Sequence, residues 1–336
     1  MLAFIIVFLC HCVFFAGRQD DSLSQKTCHK YQSLFKAKIL SDGSSAGTVF
    51  GVQKASFIML PLLGKLPCRG IYCFMEVFMS KKAIVCVSFG SSYENTVEKT
   101  IKKIEEDFAK EFSGFEIRRA FTSSIIIGVL KKRGIETDNL PLALEKLEKE
   151  GFNEVYVQPT HFIAGHEYEK LKKQADEFKN KFDVLKVGVP LLFDEKDIEN
   201  VCKITAEEIS PSEDEALVLM GHGTDHSVNY VYTKTDEMFK KLGCKNIFVG
   251  TVEALPDIGS VINMVEEKGF KKAVLSPFML VCGDHANNDM WGDEDDSWKK
   301  SFIKKGFETR VVLKGMGEYE NIRKIIVSHA HKYLGV

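Results

Sequence analysis

The chain has 336 residues and 45% hydrophobic content, enough for two domains of ordinary size, each with its own core. The formal net charge is -2, with lysines and glutamates interspersed, which excludes a basic face for nucleic acid and points to a small-molecule partner. Nine cysteines are present, but Cys86, Cys202, Cys244 and Cys282 stand singly among apolar neighbours, as reduced core thiols do, so the main body is expected in a reducing compartment.

Residues 1–78 differ from the rest. The apolar run 2–17 has the length of an export signal, yet it lacks a basic start, and no lipobox precedes Cys10 or Cys12. It is also short for a membrane span. From Arg18 to Phe78 no helical or strand period is sustained. The expectation is an N-terminal extension, disordered or mis-assigned, in front of a cytoplasmic body that opens at Met79, with export through 2–17 as the alternative.

Ala83 to Gly90 is a continuous apolar run closed by glycine, which predicts a strand buried on both faces of a parallel sheet. Val97, Ile101, Ile104 and Phe108 recur at helical spacing, so a helix with a charged outer face is expected over 94–112. A strand over 115–121, a helix over 140–150 stopped by Gly151, and a strand over 152–159 come next. The loop from Thr160 through His161, Gly165, His166 and Glu167 leads into a helix over 168–182, and a strand over 184–190 closes this half. Such alternation means βαβ units: an α/β fold with a mainly parallel sheet and helices on both faces.

After a helix over 197–208 the same order begins again. Ala216 to Thr224 matches Ala83 to Ser91, with the glycines Gly223 and Gly90 in register. A helix over 230–242, a strand over 246–253, a helix over 258–268 and a strand over 270–277 follow. Beyond Pro159 and Pro277 the match continues, so that Gly165 falls on Gly283 and Glu167 on His285. The predicted organisation is an N-terminal lobe over 79–209 and a similar C-terminal lobe over 210–336, with a cleft between them. Glu167 and His285 are expected to face one another across it.

His222 ends one strand of the second lobe between two glycines, Glu253 ends the next, and His285 follows the third in a glycine-hinged loop. Open α/β sheets collect ligands at strand carboxyl ends. Two imidazoles and a carboxylate converging there suit Zn, Co, Ni or Fe(II), so His222, Glu253 and His285 form a candidate metal site. Each residue alone reads more plainly as a structural histidine or a solvated rim carboxylate. What favours ligation is that all three share one architectural position. His161 and His166 occupy the matching loop of the first lobe. His226, His329 and His331 read as surface residues, the acidic run Asp293 to Asp296 as a solvated face, and Arg118 and Arg119 as sheet-edge residues.

Four stretches, Ser88 to Tyr93, Gln158 to Leu171, Met220 to Thr224 and Phe278 to Met290, together resemble the anaerobic cobalt chelatases, the class II enzymes that insert Co2+ into sirohydrochlorin early in cobalamin biosynthesis. The resemblance spans essentially all of 79–336. It implies two flavodoxin-like lobes around a tetrapyrrole cleft, metal ligation by His222, Glu253 and His285, and catalytic roles for His222, His285 and Glu167. It also implies sirohydrochlorin and Co2+ as substrates, no cofactor beyond that metal ion, no membrane for 79–336, and a homo-oligomer as one of the open assembly states. Insertion of Fe2+ or Ni2+ by the same fold, or non-catalytic binding of a tetrapyrrole or metal, stand as the alternatives.

Overall fold

Among the described residues, eight strands build two separate parallel sheets, with the orders β2-β1-β3-β4 and β6-β5-β7-β8. The computed structural model describes residues 80–334, so the extension 1–78 with its signal-like run lies outside the described residues. The first sheet comprises β1 (Lys82–Ser88), β2 (Glu116–Phe121), β3 (Glu154–Pro159) and β4 (Val184–Val187). Its repeat comprises β5 (Glu215–Gly221), β6 (Ile247–Thr251), β7 (Lys272–Pro277) and β8 (Glu308–Val311). Equivalent central strands pair alike, Val85 with Val157 in one sheet and Val218 with Leu275 in the other, as the internal repeat requires.

Strand alternation sorts the apolar side chains into three layers. Ala83, Val85 and Val87 of β1 face outward onto α4 (Leu140–Lys149) and α5 (His166–Asp176). Ala216, Val218 and Met220 of β5 face outward onto α8 (Ile258–Glu267) and α9 (Trp298–Lys304). The inward set, Ile84 and Cys86 with Leu217 and Leu219, joins one core shared by both sheets and by four helices. These are α2 (Ile101–Glu111), α6 (Glu195–Ile209), α7 (Tyr230–Lys241) and α10 (Glu320–Leu334). The closing helices cross over: α6 packs on α7, and the C-terminal α10 packs on α2 and β3. Arg323 of α10 seals the crossing, with Nε donating to Asp107 at 2.6 Å.

Two local departures from the periodic pattern have physical causes. The helix expected over 94–112 is broken into α1 (Glu94–Lys99) and α2 at Thr100, whose backbone leaves the helical angles (φ -122°, ψ -75°) and whose hydroxyl donates to the Thr96 carbonyl at 2.6 Å, an i−4 side-chain bond of the kind that bends helices. Helix α3 (Ser124–Lys132) carries three consecutive isoleucines, a strand-like run, but Ser123 caps it by accepting from the Ile126 amide at 3.3 Å. Cys86, Cys202, Cys244 and Cys282 are free, and burial pushes the Cys282 thiol up to about 11. No helix among the described residues is long and apolar enough to cross a membrane.

Candidate metal centre

Strand β5 ends at Gly221 and hands on His222, and the turn that follows depends on Gly223. This glycine has φ +82°, and a Cβ there would lie 2.9 Å from the backbone nitrogen of Ala254. Only glycine lets the His222 loop come this close to the loop after β6. The two loops are then stitched together, Val252 N donating to Gly221 O at 3.1 Å and Glu253 N to His222 O at 2.9 Å. Thr251 Oγ1 donates to Ala254 O at 2.6 Å and closes the turn that carries Glu253. His285 arrives from β7 immediately before a π-helical turn, Ala286–Met290, a distortion that recurs at functional sites.

The outcome is convergence. One donor atom from each of His222, Glu253 and His285 lies within 4.8 Å of the other two. The two imidazoles meet edge to face, with centroids 4.6 Å apart and planes at 85°, and His222 Nδ1 is 3.5 Å from Glu253 Oε2. A backbone carbonyl can only accept, so the 3.0 Å contact of His222 Nδ1 with Gly223 O places the ring proton on Nδ1. His285 Nδ1 is likewise engaged, by the carboxylate of Asp289. Both histidines therefore keep the Nε2 lone pair for a ligand.

A second group of two histidines and a glutamate, His166, Glu169 and His226, also gathers its donor atoms within 4.8 Å, but its protons are placed differently. His226 Nδ1 accepts from the Val228 amide at 3.1 Å, which leaves the proton on Nε2, 3.4 Å from Glu169 Oε1. His166 Nε2 donates to Asp225 Oδ1 at 2.9 Å. This set is thus a reciprocal fastening: an α5 histidine reaches a carboxylate of the β5 loop, and a β5-loop histidine reaches a carboxylate of α5.

The remaining sequence candidates fall into distinct places. Glu167 sits in the first turn of α5 outside the three-residue group, with Oε2 buried, without a hydrogen-bond partner, and 3.8 Å from Lys170 Nζ. His329, expected at the surface, is buried against Asp197 at 3.0 Å, because α10 presses it onto α6. His226 is mostly covered, whereas His331 stays partly exposed and pairs with Glu111 at 2.9 Å. Arg118 and Arg119 lie on the edge strand β2 and are engaged by Glu150 and Glu105, each at 2.6 Å. In the acidic run, exposed Asp293 meets Lys299 at 2.7 Å.

His161 lies half-buried in the loop after β3, its Nε2 3.4 Å from Thr122 Oγ1 and its Nδ1 buried without a partner. Burial holds the ring neutral, bringing its pKa down to about 4 from the ordinary 6.5. The unfolded chain therefore binds more protons between these values, and stability is lost as pH falls from about 6.5 to about 4. The loss expected is on the order of 3 kcal/mol. Denaturant midpoints across that window should show it, and His161→Gln should flatten the slope; equal slopes in both proteins would count against this account of His161.

Residues 82–334 match the family model described as Cobalt chelatase (CbiK). This chain belongs to the CbiK cobalt chelatase family. It is 37% identical over 260 residues to the sirohydrochlorin cobaltochelatase of Salmonella typhimurium, covering 76% of this chain and 97% of that one. It is 31% identical over 255 residues to the sirohydrochlorin cobaltochelatase CbiKC of Nitratidesulfovibrio vulgaris, covering 75% of this chain and 90% of that one. Among solved structures, SirB from Bacillus subtilis with Fe3+ superposes with a TM-score of 0.53 at 16% identity, over 75% of this chain and 95% of SirB, which shows a shared fold.

Within this family member, sequence reasoning missed the residues that hold the His285 loop. Tyr93 of the first half donates its hydroxyl to Asp284 at 2.9 Å, and Thr96 Oγ1 donates to Cys282 O at 3.0 Å. Asn288 Nδ2 also donates to Asp284 at 2.9 Å. The signal available was the spacing of His285 and Asp289, four residues apart, which places both side chains on one side of a helical turn. The Tyr93 and Thr96 contacts join residues nearly two hundred positions apart and left no local trace.

Proposed function

We propose that this chain is a sirohydrochlorin cobaltochelatase that inserts Co2+ into sirohydrochlorin with release of two protons, an early step of anaerobic cobalamin synthesis. The observation that carries the reading is the convergence of His222, Glu253 and His285 donor atoms within 4.8 Å, with both Nε2 positions left available. In this reading the two imidazoles and the carboxylate hold the metal substrate and deliver it to the macrocycle. Exchange of M2+ for two pyrrole protons needs acceptors beside the ion, and imidazoles and carboxylates serve. Glu167 is proposed as one of them, its buried Oε2 having no hydrogen-bond partner.

The exposed apolar side chains Phe89, Ile125, Phe193, Tyr230 and Leu255 all lie in the segments that follow strand carboxyl ends. They offer contacts to the apolar faces of a tetrapyrrole whose carboxylates point to solvent. The halves 79–209 and 210–336 are read as the two walls of the cleft, with the metal on the second. A cytoplasmic setting accords with the free thiols of Cys86, Cys202, Cys244 and Cys282.

The test is anaerobic assay of the full chain with sirohydrochlorin and Co2+, Fe2+ or Ni2+ in turn, followed by the absorbance of the macrocycle. Fastest metallation with Co2+ is expected. Preference for Fe2+ or Ni2+ would reassign the metal, and macrocycle binding without metallation by any of the three would make the protein a carrier.

A further inference from the structure

Two rings define the metal-facing side of the site, and they are held by different means. His222 is fixed by the backbone, through the carbonyl of Gly223 at 3.0 Å, inside a loop already stitched to the Glu253 turn. His285 has no such backbone anchor. Its Nδ1 is met by a side chain, the carboxylate of Asp289, four residues on at the far end of the π-helical turn Ala286–Met290. The wider spacing of a π turn alters the angular offset between positions i and i+4, and here residue 289 lies against residue 285. The base of the turn is tied separately, by Tyr93 and Asn288 on Asp284 and by Asn287 Nδ2 on Gly283 O at 2.7 Å. None of these ties touches the His285 ring.

We propose that Asp289 is a positioning residue for metal capture: by accepting the Nδ1 proton of His285, it directs Nε2 toward His222 and Glu253. A free imidazole can present either nitrogen and can rotate about two side-chain bonds. A carboxylate on Nδ1 fixes both the tautomer and the ring plane, and adds negative charge behind a ligand that must hold a divalent cation. Asp289 does not join the three-residue group and acts only through His285. The proposal rests on the reading of His222, Glu253 and His285 as the metal site.

The test uses the full chain and Co2+ alone, titrated calorimetrically and through the ligand-field absorption of bound Co2+, together with initial rates over Co2+ and sirohydrochlorin. Asp289→Ala should weaken Co2+ binding by roughly 10- to 100-fold. The half-saturating sirohydrochlorin concentration should stay unchanged, a split that general damage to the fold would not produce. Asp289→Asn keeps an oxygen able to accept from Nδ1 and should recover much of the loss. Co2+ affinity within twofold of the parent in Asp289→Ala, with His285→Ala defective, overturns the positioning role and leaves the site reading intact. Unchanged affinity in His285→Ala overturns the site reading itself. A measurement independent of variant folding is the 15N spectrum of the unsubstituted protein: protonated Nδ1 with lone-pair Nε2 on His285 is expected, and the reverse assignment overturns the proposal.

Discussion

His285→Ala is expected to lower cobalt insertion on the order of 10^3-fold, equivalent to about 4 kcal/mol in the barrier, while sirohydrochlorin binding is retained. The methyl group that remains offers no lone pair, so the ion would be held by His222, through Nε2, and by the Glu253 carboxylate alone. The ring also lies edge to face with His222 at 4.6 Å, and its removal takes that packing contact from the site. His222→Ala should behave alike, because the group supplies one donor from each residue. The check is single-turnover metallation under anaerobic conditions, with macrocycle binding measured separately by fluorescence quenching. Turnover within threefold of the parent would remove the substituted histidine from the site.

The second large effect concerns stability. Arg323→Met should lower the free energy of unfolding by about 3 kcal/mol without changing insertion per folded molecule. Arg323 is buried, and besides the 2.6 Å contact with Asp107 its Nη1 donates to Gly317 O at 3.2 Å and Glu318 O at 3.1 Å. Methionine fills most of the space but leaves two carbonyls and a carboxylate without their donor. The Asp107 side chain is 33% exposed, so water takes back part of the cost, which is why the expected loss sits at the lower end for a broken ion pair. A shift in urea midpoint at constant slope measures it. A midpoint equal to that of the parent would mean that the crossing of α10 onto α2 is held by the apolar core that Phe108, Ile322 and Ile326 share.

What the sequence determined by itself was everything written in short-range periodicity. Apolar runs closed by glycine marked β1 and β5, helical spacing marked α2, α4, α7 and α8, and the repeat aligned two βαβ series, because burial against a sheet constrains each strand residue by residue. The same logic placed His222, Glu253 and His285 at equivalent strand ends, where a parallel sheet brings loops together. Tertiary structure alone decided the rest. The exchange of α6 and α10 between the halves, the burial of His329 on Asp197, and the Tyr93 bond to Asp284 depend on surfaces meeting across the shared inner core. The two groups of histidines and glutamate look alike as residue types. Their hydrogen bonds separate them, since Gly223 O and Asp289 hold protons on Nδ1 in one, while the Val228 amide forces the proton onto Nε2 in the other. A tautomer is set by what stands beside each ring nitrogen, and that neighbour is fixed only once the chain has folded.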